Sequence, residues 1–244
     1  PALFSALAAD LRRRAWRITL SPMPDERGEA SLLEQAFAAA GWRVRREACD
    51  VNHVLEVAGR SFAEWFAARP GQLRSTIKRK RGKVSVEIRT AFAEAEWREY
   101  EDVYQDSWKP EEGSPEFLRE FARAEAGCGR LRLGLARHEG RAIAAQFWTV
   151  DHGIAYIHKL AHRDEARPLS AGSVLSAALF EHAIDVDRVA LIDFGTGDDG
   201  YKRDWMEAVK PRFRLDMFDL AQPRAWPHLA RAALQQLAPA ARHR

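Results

Sequence analysis

Cysteine is almost missing from this chain: Cys49 and Cys128 are the two among 244 residues, too few for a disulfide framework. Long apolar runs are missing too, and none approaches the roughly 20 residues that a bilayer span requires. No stretch has the order of a secretory signal, and no repeat or low-complexity segment interrupts the pattern. Charge of one sign is also lacking, since 38 basic residues face 35 acidic ones. A pI near 9.0 reflects abundant arginine without giving the whole chain a polyanion-binding character. These absences lead to the expectation of a reducing, cytoplasmic setting with no transmembrane segment. The chain opens at Pro1 without a methionine, so an upstream part is expected to be missing.

What is present reads as globular, with 46% hydrophobic and 30% charged residues, enough to bury one substantial core or two modest ones. Residues 3–14 and 29–40 have helical spacing, with Asp25 as a cap and Gly41 as a stop for the second, while "WRITLS", "WRVRRE" and "HVLEVAG" read as strands. So few strands leave an edge uncovered, which makes residues 1–60 a partial N-terminal α/β half. In 61–83, Phe62, Trp65 and Phe66 mark a short helix, Pro70-Gly71 interrupts it, and Leu73 and Ile77 begin a second helix with a basic face. We expect this segment to be a basic helical connection.

The remainder is fuller. "VSVEIRT" at 84–90 gives way to a helix over 92–107 and another after Ser114-Pro115. A three-stranded meander follows, turned at Glu139-Gly140 and at Asp151-His152-Gly153. A loop then leads into a helix near 172–185, the strand "RVALIDF", a short helix from about 199 and the strand "RFRLDMF". The expected boundaries are 84–222 for this domain and 223–244 for a C-terminal helix and tail, with the closing helix over 225–237.

The loop before the helix at 172 carries Arg167, Leu169, Ser170, Ala171, Gly172, Ser173 and Val174, small residues with one cation and no acid after Glu165. Free backbone N–H groups at a helix start, together with the helix dipole, attract a diphosphate, and small residues let it approach closely. "GTGDDG" at 195–200 competes for the same role, since it spells G-x-G-x-x-G after a strand and before a helix. Asp198 and Asp199 would repel a pyrophosphate, however, and too little chain follows to build a dinucleotide-binding sheet.

The order strand, helix, helix, three-stranded meander, helix, strand, helix, strand resembles the GNAT acyltransferase fold. Arg167-Pro168-Leu169-Ser170-Ala171-Gly172 is similar to the GNAT phosphate loop, with Ser170 in place of its first glycine. "LSAGSVL" followed by "LIDFGTGDDGYKRDW" resembles the C-terminal domain of the CelD-like acetyltransferases, named for an association with bacterial cellulose synthesis, with Ala171 replacing the usual proline. The related Fem peptidyltransferases share two GNAT-like halves and an aromatic-Lys pair that Tyr201-Lys202 matches. The resemblance covers about residues 60 to 222. It implies a mixed α/β (α+β) fold with a mostly antiparallel sheet flanked by helices, preceded by a partial second GNAT-like half. It also implies acyl transfer from acetyl-CoA or another acyl-CoA, with no metal, to an amine or hydroxyl of a sugar or cell-envelope precursor.

On that resemblance, Leu160 and the residues from Arg167 to Val174 named above would hold the acyl-CoA. Tyr201 stands where GNAT enzymes place the acid that protonates the sulfur; its alternative is a packing tyrosine. Lys202 would stabilise charge at the reacting carbonyl, or be a solvated lysine. Asp193 is the candidate base, with a helix cap or a partner of Lys202 or Arg203 as alternatives. His158 would touch the acceptor or sit satisfied in the core. His158 and His162 are roughly 13 Å apart along a strand, too far to share a metal ion. The basic run with Lys78, Arg79 and Arg81 would hold an anionic acceptor, or be a solvated helix face. The same run sustains an alternative function, a non-catalytic GNAT-like module on nucleic acid or anionic surfaces through residues 74–83. The aromatic residues do not interleave with that run, so no nucleic-acid partner is expected.

Overall fold

The computed structural model describes residues 2–237, with side chains through Arg231, and the expected tail at 238–244 lies outside the described residues. The elements run α1 (Ala2–Leu11), β1 (Arg17–Met23), α2 (Glu29–Ala39), β2 (Trp42–Glu56), α3 (Phe62–Ala67), α4 (Gly71–Lys80), β3 (Ser85–Arg89) and α5 (Glu94–Gln105). They continue α6 (Pro115–Gly127), β4 (Leu131–His138), β5 (Arg141–Asp151), β6 (Ile154–His162), α7 (Ala171–Glu181), β7 (Leu191–Thr196), β8 (Ala208–Asp219) and α8 (Trp226–Leu237). The fold is mixed α/β with mostly antiparallel strands flanked by helices, as the sequence leads one to expect. Among the described residues no helix is long and apolar enough to cross a membrane.

Two compact units are present, one formed by residues up to Asn52 with those from Lys210, the other by His53–Val209. In the first, the strand order is β1-β8-β2, and β1 lies antiparallel to β8 with Ile18 opposite Met217. Its core gathers Ala8, Leu33, Phe37, Trp42, Leu215 and Met217, and the Trp42 indole donates to the Ala8 carbonyl at 2.9 Å. Two expectations are corrected here. The residues read as two strands form one, β2, because the stretch "ACDVN" between them holds neither glycine nor proline to break it. Gly28, not Asp25, occupies the N-cap of α2; Asp25 still accepts the Ser31 N–H at 2.9 Å, and that bond, with Arg46, holds its pKa down to about 2. Gly41, at φ +87°, follows α2 in a left-handed turn that an L side chain resists.

In the second unit the order is β2 (from His53), β7, β6, β5, β4, β3. β5 is apolar almost throughout because helices cover it on both sides. Ala144 and Trp148 pack into the cluster with Val174, Leu175, Leu179 and Phe180 of α7. Ala145 and Phe147 pack into the cluster with Trp97, Tyr100 and Val103 of α5. Each large side chain so buried contributes about 1.5–3 kcal/mol. Gly134 sets how closely α7 lies on β4, since a Cβ there would meet Leu179 Cδ1 at 2.8 Å and Leu175 Cδ1 at 2.9 Å. The parallel pairing of β6 with β7 spans only Ile154–Tyr156 against Leu191–Asp193. Past it the paired register ends, and Leu160 of β6 and Phe194 of β7 both line one cleft.

Candidate active site

The Asp164–Leu169 segment is a short 3-10 turn that delivers the chain to Ser170 at φ 52° and ψ 36°, a left-handed N-cap. α7 closes its first turn with Val174 N–H on the Ser170 carbonyl at 3.0 Å. The N–H groups of Ala171, Gly172 and Ser173 therefore precede the helix's own bonds. A Cβ on Gly172 would meet His162 Cδ2 at 3.1 Å, so glycine lets the start of α7 lie close against the His162 ring. Buried Gln146 fixes this turn: its Nε2 donates to Gly172 O at 3.2 Å and to Ser176 Oγ at 2.8 Å, and its Oε1 accepts from Trp148 Nε1 at 3.0 Å.

These groups border a cleft of about 350 Å³. Of the residues expected to hold acyl-CoA, Leu160, Arg167, Ser170, Ala171, Gly172 and Ser173 line it. Arg167 is largely exposed and pairs with Asp164 at 2.9 Å. Leu169 packs against the core instead, and Val174 is buried within it with its N–H already bonded. Tyr201 also lines the cleft, edge-on to Phe194, and burial, with Asp199 nearby, pushes its phenol up to about 12. The phenol therefore keeps its proton throughout the neutral range.

Sequence reasoning missed Gln146, Ser176, Trp108, Asp204 and the placement of His162, which all line the same cleft. Trp108 packs on His162 with ring centroids 4.3 Å apart. Trp205, noted only as part of a pattern, lines the cleft and stacks on Phe180 at 5.0 Å. An isolated glutamine or tryptophan on a distant element carries no local signal that it will arrive here.

The second glycine turn is built differently. Gly195 and Gly197 have φ of +74° and +97°, and Asp193 Oδ1 accepts the Gly195 N–H at 2.7 Å. Asp198 is bonded by Arg203, which chiefly lowers its pKa, and by His53 at 3.2 Å. Lys202 is buried, neither solvated nor on the cleft lining; its Nζ donates to Thr196 O and to Gly197 O at 3.1 Å and lies 3.6 Å from Asp199. Asp193 does not line the cleft either.

His158 keeps surface area, yet its ring lies against Phe147 and Phe121, so the ring itself loses water. That loss lowers its pKa to about 4, and Nε2 bonds Thr149 Oγ1 at 2.8 Å. Lys78, Arg79 and Arg81 are exposed on and just beyond α4, away from the cleft lining; Arg81 pairs with Glu181 at 3.1 Å. Among the described residues no three or more His, Cys, Asp or Glu are grouped to hold a metal.

The sequence pattern of the Acetyltransferase (GNAT) domain family matches residues 71–203, which include both glycine turns and the whole cleft lining up to Tyr201. No curated protein sequence matches the chain. Among solved structures it is similar to FemX, with a TM-score of 0.67 at 11% identity over 88% of this chain and 75% of that one. It is similar to L-PGS from Bacillus licheniformis, with a TM-score of 0.59 at 13% identity over 93% and 75%. A tandem GNAT protein from the clavulanic acid biosynthesis pathway gives a TM-score of 0.53 at 14% identity over 88% and 68%. At such identities the likeness is one of fold, whereas the family match spans more than half of the chain. With its amide-lined turn and its cleft phenol inside the matched region, the chain belongs to the acetyltransferase (GNAT) domain family and is an acyltransferase.

Proposed function

We propose that the chain transfers an acyl group, acetyl in the simplest case, from acyl-CoA to an amine or hydroxyl of a sugar or cell-envelope precursor, as the CelD-like resemblance implies. One observation carries this reading: the residues whose amides precede the first bond of α7, Ala171–Ser173, line a cleft that Tyr201 also borders. The diphosphate of the co-substrate sits on those amides, with Arg167 adding charge from the rim. The acceptor's lone pair attacks the thioester carbonyl carbon, the new C–N or C–O bond forms and the C–S bond breaks. The departing thiolate takes the Tyr201 proton, and the acceptor's lost proton passes to solvent, from which Tyr201 is reprotonated; Asp193, which does not line the cleft, takes no direct part in the transfer. Lys202 acts by position, tying the Thr196 and Gly197 carbonyls so that Tyr201 is held at the cleft. A cytoplasmic location belongs to the same proposal.

The test is a thermal unfolding titration of the full chain with acetyl-CoA. Saturable protection that Arg167→Glu combined with Gly172→Asp removes is the expected result. An unprotected wild-type chain overturns the reading.

A further inference from the structure

The first cleft carries little positive charge of its own. Arg167 and Asp204 are the charged side chains on its lining besides His162, and Arg167 is already paired with Asp164 at 2.9 Å. An acyl-CoA brings two kinds of phosphate. The amides before α7 would receive the diphosphate; the ribose also bears a 3′-phosphate monoester, with a charge of about −1.5 to −2 at neutral pH. For that second group the lining offers no unpaired lysine or arginine.

The surplus lies beside the cleft, on α4. From Gly71 to Val84 the chain holds Arg74, Lys78, Arg79, Lys80, Arg81 and Lys83 and no acid. Arg81 pairs with Glu181 at 3.1 Å, while the others make no ion pair among the described residues. The larger cavity of the unit, about 820 Å³ among α5, the 106–114 segment and α6, shows the contrast. Lys109 lines it, and there Arg119 bonds Glu101 while Arg123 bonds Glu94 and Glu120.

Packing decides which cations of α4 stand at the cleft. Leu73 and Ile77 bury the inner face of α4 in the cluster that holds Val174 and Leu175 of α7. Leu73, in the first turn of α4, lines the cleft together with Ala171–Ser173 at the start of α7, whereas Arg81, just past the end of α4, meets Glu181 at the end of α7. The two helices therefore run side by side in one direction, with their starts at the cleft. Arg74 and Lys78 follow Leu73 and Ile77, are exposed, and stand on successive turns of one face. Arg74 folds back towards the start of its helix: Nε donates to the Arg69 carbonyl at 3.0 Å, and Nη2 lies 4.0 Å from where a Cβ on Gly71 would stand. Arg79 instead donates to the Ser75 carbonyl at 3.3 Å, and it and Lys83 lie towards the far end of α4.

From these observations we infer that Arg74 and Lys78 form an anion subsite at the mouth of the first cleft, outside its lining, that takes the ribose 3′-phosphate of the acyl-CoA. The inference rests on the acyl-CoA reading above and adds the phosphate that the amide turn does not hold. A guanidinium fork and an ammonium on adjoining turns suit a phosphate monoester, whose oxygens accept several charge-assisted hydrogen bonds. The subsite also discriminates between donors. An acyl group carried on a phosphopantetheine arm without the nucleotide gains nothing from α4.

The test is calorimetric titration of the full chain with coenzyme A and with 3′-dephospho-coenzyme A, which differ in that one group. Coenzyme A should bind at least about tenfold more tightly. Arg74→Gln with Lys78→Gln should bring coenzyme A down to the affinity of the dephospho compound, and leave the latter within about twofold of its wild-type value. Arg79→Gln with Lys83→Gln, which lowers the charge of the run equally, should keep most of the preference. Equal binding of the two compounds by the wild-type chain, or a preference that survives Arg74→Gln with Lys78→Gln, overturns the subsite and leaves the acyl-CoA reading standing. A preference lost equally in both double variants belongs to the diffuse field of the run and also overturns the subsite. Binding of neither compound removes the acyl-CoA reading, and the subsite with it.

Discussion

The turn into α7 and the turn out of β7 both pass from strand to helix through small residues, and both bend the chain through left-handed backbone, at Ser170 in one and at Gly195 and Gly197 in the other. They differ in what stands around the bend. Behind the first lies an eleven-residue α-helix, whose dipole and three leading amides face a cleft, with Arg167 on the rim. Behind the second lies a five-residue 3-10 turn, flanked by Asp198 and Asp199 and laced internally by Lys202 and Arg203. Glycine spacing supplies curvature in both. The sign of the neighbouring side chains and the length of the helix decide which of them can hold an anion.

The comparison breaks most sharply at Gly172. Gly172→Asp places a carboxylate against the proposed diphosphate site and crowds His162, so acetyl-CoA affinity should fall by at least about 100-fold, read by calorimetry with circular dichroism as the check on folding. Affinity within a few-fold of wild type would show that this turn does not bind the anion. Tyr201→Phe should lower turnover by about 100-fold while leaving acetyl-CoA affinity unchanged. Because its pKa is pushed up to about 12, no Tyr201 ionisation should appear in the wild-type rate profile between about pH 6 and 9. Lys202→Met leaves two loop carbonyls without their donor and should cost about 2–3 kcal/mol of stability, seen as a lower midpoint in denaturant. A stable variant with full turnover would remove Lys202 from any role. Arg167→Ala, at an exposed and salt-screened pair, should weaken acetyl-CoA by only about three- to fivefold, and less so in high salt. Smallest of all, Asp198→Asn with Asp199→Asn should leave that affinity within about twofold, because the proposed co-substrate site lies at the first turn. A large gain or loss there would erase the contrast between the two turns.

Much of the fold was readable because its signals are local. The 3.6-residue spacing of Trp97, Tyr100 and Val103, the alternation in "RLRLGLAR" and the glycine turns of the meander all appear where the sequence puts them. The failure at β2 has the same origin, since polar residues inside a long strand look like a break when their cross-strand partners are unknown. The turn into α7 at Ser170–Ser173 was legible from its small residues. Gln146, Trp108 and Ser176 were not, because their roles depend on β5, the 106–114 segment and the second turn of α7 meeting at one place. The solvated alternative for Lys202 fails for a related reason: whether a lysine is solvated or turned inward depends on the carbonyls around it, and Thr196 and Gly197 present theirs only once the loop has curled.

Trp108 and Lys109 are successive residues, yet each forms part of a different wall. A peptide unit shared in this way behaves as a common partition: a molecule that shifts it on one side alters the room available on the other. Whatever help or hindrance a ligand on one side gives a ligand on the other must then be returned in equal measure, since the two equilibria close a single thermodynamic cycle.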